Sequence, residues 1–110
     1  MPRRKSFAVH WTRTAESDLA SIADRVATDN PEAAERILEK IEETASRLTQ
    51  FPLRGRVVPE LKEHGIVVYH ELICHPWRII CRIEAGTVLV MAAIDGRRNL
   101  EDLLLERFLH

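Results

Sequence analysis

Six arginines between residues 54 and 98 are of a type and spacing that could do chemistry. Arg54 and Arg56 flank Gly55, Arg78 and Arg82 lie in the run Trp77-Arg-Ile-Ile-Cys-Arg-Ile, and Arg97 and Arg98 follow Asp95-Gly96. A guanidinium carries five donors in a fixed fork and stays charged, so two of them side by side at a strand end make a good clamp for a carboxylate or a phosphate. The plainer reading is also open. Arg78 and Arg82 can pair across a sheet with Glu71, Glu84 or Glu60, and Arg54, Arg56, Arg97 and Arg98 can be solvated loop cations. His64, His70, His75 and Cys74 include zinc-binding residue types. However, His70 and His75 are an odd number of positions apart and so face opposite sides of a regular strand. No metal and no other cofactor is expected.

A hairpin must hold the central arginines. From residue 77 to 83 the chain alternates, with Trp77, Ile79, Cys81 and Ile83 pointing one way and Arg78, Ile80 and Arg82 the other. Ala85-Gly86 supplies a turn, with Gly86 free to take positive φ. Val88 to Ile94 is a near-continuous apolar run, the pattern of a central strand buried on both faces. Asp95-Gly96 ends it.

Upstream, Phe7 to Trp11 reads as a short strand. Thr14 is placed to cap a first helix, whose apolar residues Leu19, Ile22, Ala23 and Val26 fall on one face as far as Thr28. Asn30-Pro31 opens a second helix, with its stripe running to about Leu48. Residues 51–61 read as a non-helical loop because of two prolines and a glycine. Ile66 to Leu72 reads as a further strand. Asn99 is placed to cap a last helix over Leu100–Leu109, where Leu100, Leu103, Leu104 and Phe108 fill one face and Leu105 and Leu109 spill over. The expectation is a single α+β domain over residues 1–110, with an N-terminal strand and an αα-hairpin packed on a small, mostly antiparallel sheet, and a short C-terminal helix.

At 110 residues with 45% hydrophobic and 30% charged content, the chain can bury one modest core. No run approaches the roughly 18 apolar residues of a membrane span. The first residues lack a secretory apolar region, which points to the cytoplasm. Cys74 and Cys81 match no metal or redox spacing and are expected to be buried free thiols. The net charge of −1 hides a segregation: residues 14–49 hold nine acidic and four basic side chains, and residues 52–98 hold five and seven. The basic sheet half hints at an anionic or acidic partner.

Taken together, Val9-His-Trp11, Ala15-Glu-Ser-Asp18-Leu19, Asn30-Pro31-Glu, Gly55-Arg56-Val-Val-Pro59-Glu60-Leu61, His70-Glu71-Leu72, Trp77-Arg78-Ile79 and Gly96-Arg97-Arg98 resemble the ParE/RelE superfamily of toxins. The resemblance covers about residues 7 to 107 and implies a toxin neutralised by a cognate antitoxin. Two activities occur in that superfamily. RelE-like members are ribosome-dependent mRNA endonucleases, which need a base and several cations. In that reading Arg78, Arg98 and Lys62 would be the catalytic candidates, acting on the ribosome and its mRNA. The expected tyrosine is absent, since Leu100, Leu103 and Leu104 occupy its segment. Lys62 is the only lysine after Lys40. ParE-like members poison DNA gyrase through a protein contact, and the Gly-Arg-x-x-Pro-Glu-Leu and Asn-Pro-Glu runs resemble this branch more. The resemblance therefore favours a gyrase inhibitor. Arg54, Arg56, Arg78, Arg82, Arg97 and Arg98 would be the surface offered to target or partner, and Leu100, Leu104, Leu105 and Phe108 would meet the antitoxin.

Overall fold

The computed structural model describes residues 7–50, 55–97 and 99–108. Strand β1 (Ala8–Trp11) passes through Thr12 straight into helix α1 (Arg13–Asp29). Thr12 Oγ1 accepts from the Ala15 N–H at 3.2 Å and donates to the Val90 carbonyl at 3.0 Å, so one hydroxyl caps the helix and fastens it to the sheet. The cap is therefore Thr12 and not Thr14. Thr12 still has extended ψ (160°), and the helix has already begun at Arg13. Asn30 caps α2 (Pro31–Ser46) as the sequence indicates, its Oδ1 accepting from the Ala33 N–H at 3.2 Å with Pro31 in the first turn. A 3-10 turn over Arg47–Thr49 then buries Leu48.

The sheet has the order β1-β5-β4-β3-β2. Its later strands are β2 (Arg56–Val57), β3 (Tyr69–Cys74), β4 (Trp77–Glu84) and β5 (Thr87–Asp95). Only β1 and β5 run parallel; the other three pairs are antiparallel. Residues 59–62 correct the loop reading, because Pro59 starts a short helix, α3 (Pro59–Lys62). A proline at the first helical position loses no hydrogen bond and has its φ preset. Strand β3 starts at Tyr69, three residues later than expected, and Ile66 packs beneath α3 instead. The β4–β5 turn has positive φ at both Ala85 (47°) and Gly86 (80°), the handedness that suits a two-residue hairpin.

Strand β5 is buried on both faces, and a bulge makes this possible. Ile80 pairs with Ala92 but Cys81 pairs with Val90, leaving Met91 as an extra residue. Val88, Val90 and Ala93 therefore meet Ala15, Ile22, Ile41, Ala45 and Leu48 of the helical hairpin, along with Ile79 and Cys81. Ala92 and Ile94 face the other way, into a second core with Ile80, Val58, Leu61 and Tyr69. Helix α4 (Glu101–Phe108) closes that second core with Leu104, and Leu100 just before the helix joins it. Asn99 Oδ1 accepts from the Glu101 N–H at 3.3 Å. Helices thus cover both faces of the sheet.

Beyond Trp11, β5 continues with no described strand on its β1 side, while β4 stays paired on the other. Asp18 of α1 fills that gap, accepting from the Ala93 N–H at 3.1 Å, while Arg107 of α4 grips Asp18 through both terminal nitrogens at 2.8 and 2.9 Å. The two helical layers are joined around the sheet edge. None of the described helices is long and apolar enough to cross a membrane.

Candidate functional site

The family-like motifs converge on one ion network. Arg78 on β4 and Glu71 on β3 share a sheet face as diagonal neighbours, and Arg56 on β2 lies directly opposite Glu71. Arg78 Nε donates to Glu71 Oε1 at 2.7 Å, and Nη2 donates to the same oxygen. On its other edge Nη1 and Nη2 grip Glu60 of α3 at 2.6 and 2.7 Å, a two-pronged pair. Arg56 Nε takes the remaining oxygen of Glu71 at 2.7 Å. The Glu71 side chain is 0% exposed, and two guanidiniums share the cost of burying its charge. Arg78 holds Glu60 below the ordinary carboxylate range, and Glu60 in turn raises Arg78 against the opposing effect of burial.

Two glycines let the backbone close around this network. A Cβ at Gly55 would stand 2.4 Å from the Glu71 carbonyl oxygen, so only glycine allows β2 to approach β3 here. A Cβ at Gly96 would stand 3.0 Å from the Pro76 oxygen and 3.1 Å from the Arg78 Cδ. Gly55-Arg56, Pro59-Glu60, Glu71, Arg78 and Gly96 are therefore parts of one assembly.

The structure separates the candidate arginines. Arg78 uses four of its five N–H donors on carboxylates of its own chain. So arranged, it has no fork left for a phosphate. Arg82 pairs with Glu84 at 3.2 Å and lies over the Tyr69 ring at 5.9 Å, one of the pairings the sequence allowed. Arg97 is exposed but bound twice by Asp95, which it holds down to about 2. Arg56 is 62% exposed and, among the described residues, commits only Nε. Lys62 is exposed at the end of α3. Arg54 and Arg98 lie outside the described residues.

The leucine set also divides. Leu100 and Leu104, both expected at the antitoxin contact, are placed in the core, where their four-residue spacing puts both on the inward face. Leu105 and Phe108 keep part of their surface, and the Phe108 ring packs on Tyr69 with centroids 4.6 Å apart. Tyr69 is thereby a core residue. Cys74 and Cys81 are free and buried, and burial pushes the Cys81 thiol up to about 12. Among the described residues no cluster of His, Cys, Asp and Glu is arranged to hold a metal.

The pair Asp18–Arg107 was not foreseen, and a separation of 89 positions leaves no local signal for it. It lines a cavity of about 320 Å³ between α1, the end of β5 and α4, together with Arg25, Trp77, Asp95 and Arg97. Its charges are mostly paired within the cavity wall.

A helical hairpin on a five-stranded sheet, with a short last helix behind it, is the architecture of the ParE/RelE superfamily of type II toxins. Residues 9–100 match the family described as ParE toxin of type II toxin-antitoxin system, parDE, and the chain belongs to that family. Toxin ParE3 of Caulobacter vibrioides is 30% identical over 90 residues, covering 81% of this chain and 86% of that protein. Toxin RelE2 of the same organism is 33% identical over 60 residues, covering 54% and 68%. Among solved structures, the chromosomal ParDE system from P. aeruginosa superposes with a TM-score of 0.67 at 22% identity, covering 83% of this chain and 97% of the other. The toxin-antitoxin complex RelBE2 from Mycobacterium tuberculosis gives 0.61 at 20% identity, covering 86% and 97%. These two likenesses speak for the fold.

Proposed function

We propose that this type II toxin acts by protein contact, inhibiting DNA gyrase, and is neutralised by a cognate antitoxin. The observation that carries this reading is the commitment of Arg78. A nuclease would need this guanidinium on the scissile phosphate, yet four of its donors are occupied by Glu60 and Glu71. The segment where a nuclease tyrosine would fall supplies Leu100, Leu103 and Leu104 to the second core. The match to the ParE family over residues 9–100 supports the same branch.

Arg56, exposed and with no partner for its terminal nitrogens among the described residues, is the strongest candidate for target contact, and Arg97 and Arg82 follow. Arg54 and Arg98 belong to the same proposal on sequence grounds. The half-exposed Leu105 and Phe108 are the candidates for antitoxin contact on α4, and solved ParDE and RelBE complexes make such a partner the natural expectation. The test is a gyrase supercoiling assay with purified toxin. Inhibition that disappears in Arg56→Ala while the fold is kept supports the reading, and undiminished supercoiling at excess toxin refutes it. The likeness to Toxin RelE2 favours a second reading, a ribosome-dependent mRNA endonuclease. Cleavage of ribosome-bound mRNA by the same preparation would establish that one.

A further inference from the structure

The cavity between α1, the end of β5 and α4 carries charges that its own wall leaves over. Its volume is about 320 Å³, and every residue lining it is among the described ones. Three aspartates and three arginines line it, so the wall as a whole is neutral. Two of the aspartates are spent. Asp18 is taken by Arg107 and the Ala93 N–H, and Asp95 by the side chain and N–H of Arg97. Arg25 stands near enough to help hold Asp95 low. Its guanidinium nevertheless makes no hydrogen bond or ion pair among the described residues, and neither does the Asp29 carboxylate.

Arg25 and Asp29 are four positions apart on α1, as Glu43 and Arg47 are at the end of α2, where the pair closes to 3.4 Å. The order of the charges accounts for the difference. An acid followed four residues later by a base suits the helix dipole, and the reverse order does not. An uncommitted cation and an uncommitted anion therefore stand side by side on the α1 wall. Ser21, one turn before Arg25, adds a hydroxyl. Thr28, Thr44 and Ser46 turn their hydroxyls back to carbonyls of their own helices, whereas Ser21 makes no such bond among the described residues. Ile22, Val26, Trp77 and Leu103 give the cavity its apolar part.

We infer that this cavity binds a free α-amino acid with a large apolar side chain. Its carboxylate lies on Arg25 and the Ser21 hydroxyl, its ammonium on Asp29, and its side chain against Ile22, Val26 and Trp77. The two ligand charges hang on one carbon, and neighbours four apart on a helix have Cβ atoms about 5–6 Å apart, so one molecule reaches both. A net-neutral ligand matches the neutral wall. A phosphate ester would bring two charges to one uncommitted guanidinium with a bare carboxylate beside it. Ser21, Arg25 and Asp29 take no part in the gyrase or antitoxin contacts proposed above, so this inference is tested separately from them.

The probes are L-leucine and L-phenylalanine, titrated into the full-length chain with backbone amide and Trp77 indole N–H shifts followed by NMR. At least one of them is expected to saturate below about 10 mM, with the largest shifts at Ser21, Arg25, Asp29 and Trp77. Binding should weaken at least tenfold in R25Q and in D29N, both at exposed positions where the urea midpoint certifies an unchanged fold. It should weaken as much for N-acetyl-L-phenylalanine, which lacks the ammonium, for L-phenylalanine amide, which lacks the carboxylate, and for glycine, which lacks the side chain. The absence of a saturable shift with either amino acid overturns the proposal, as does binding that survives both substitutions. Adenosine monophosphate or the N-acetyl compound binding as tightly as L-phenylalanine also overturns it, by making the cavity a simple anion site.

Discussion

Replacing Arg78 with alanine removes four hydrogen bonds to carboxylates and leaves the fully buried Glu71 with Arg56 as its only cation. A hydrogen bond to a charged group contributes about 1.5–3 kcal/mol, but these four share two acceptors and do not add. Breaking a buried ion network by deleting one partner costs about 3–5 kcal/mol. Glu60, with 27% of its side chain exposed, recovers some hydration, so the lower half of that range is expected. Even about 3 kcal/mol is a large share of the roughly 5–15 kcal/mol that holds a domain together. Urea unfolding followed by Trp11 and Trp77 fluorescence measures the loss, and an unchanged m-value certifies that the native state is still compact.

Arg78→Lys keeps the charge but not the fork, and it should recover less than half of the loss. The network also sets a pH signature. Glu60 is held below its ordinary value of 4.5, so its contribution is complete above that pH and fades as pH falls through the lower folded value. The stability gap between the parent chain and Arg78→Ala should therefore narrow between pH 5 and the acid limit. A gap below about 1 kcal/mol at pH 7 would refute the structural role given to Arg78 and reopen its availability to a ligand.

Gly55→Ala forces a methyl group against the Glu71 carbonyl, and should cost about 1–3 kcal/mol by urea unfolding with exchange of the β2 amides accelerated. Asp18→Asn weakens the grip on Arg107, so limited proteolysis should release the last helix sooner while the unfolding free energy from urea titration falls by no more than about 1–2 kcal/mol. Ala85→Gly relieves a left-handed alanine at the hairpin turn and should stabilise by about 1 kcal/mol, visible as a rise in thermal midpoint. The Cys81 thiol, buried and held near 12, should resist an aromatic disulfide reagent at pH 8 in the native state and react fully in denaturant.

What the sequence made legible is what local patterns control. The alternation from Trp77 to Ile83 separated the two faces of the strand correctly, Ile79 and Cys81 in one core and Ile80 in the other, and Asn30-Pro31 marked a helix start to the residue. Val88 to Ile94 announced a strand buried on both faces, although not the bulge at Met91 that reconciles its two sides. The misses are of two kinds. Thr12 was passed over for Thr14 because both are threonines near a first turn, and only the sheet bond to Val90 distinguishes them. Arg78 had three carboxylates within plausible reach. The choice of Glu60 and Glu71 over Glu84 depends on α3, a helix that the prolines seemed to forbid. On the last helix the spacing assigns Leu100 and Leu104 to one face, and only the second apolar face of the sheet shows what that face packs against.

The pairing of β1 with β5 sets a timetable for the molecule. The first strand and both long helices are synthesised before the strand they rest on, and Thr12 and Val90 are 78 positions apart. At roughly 5–20 residues per second, α1 and its cap wait about 4–16 s for their floor to emerge. During that interval the apolar faces of both helices have only each other to pack against, and the Arg78 network has yet to close. A fold with this wiring cannot be completed piecemeal, and its assembly is deferred until synthesis has passed the last strand.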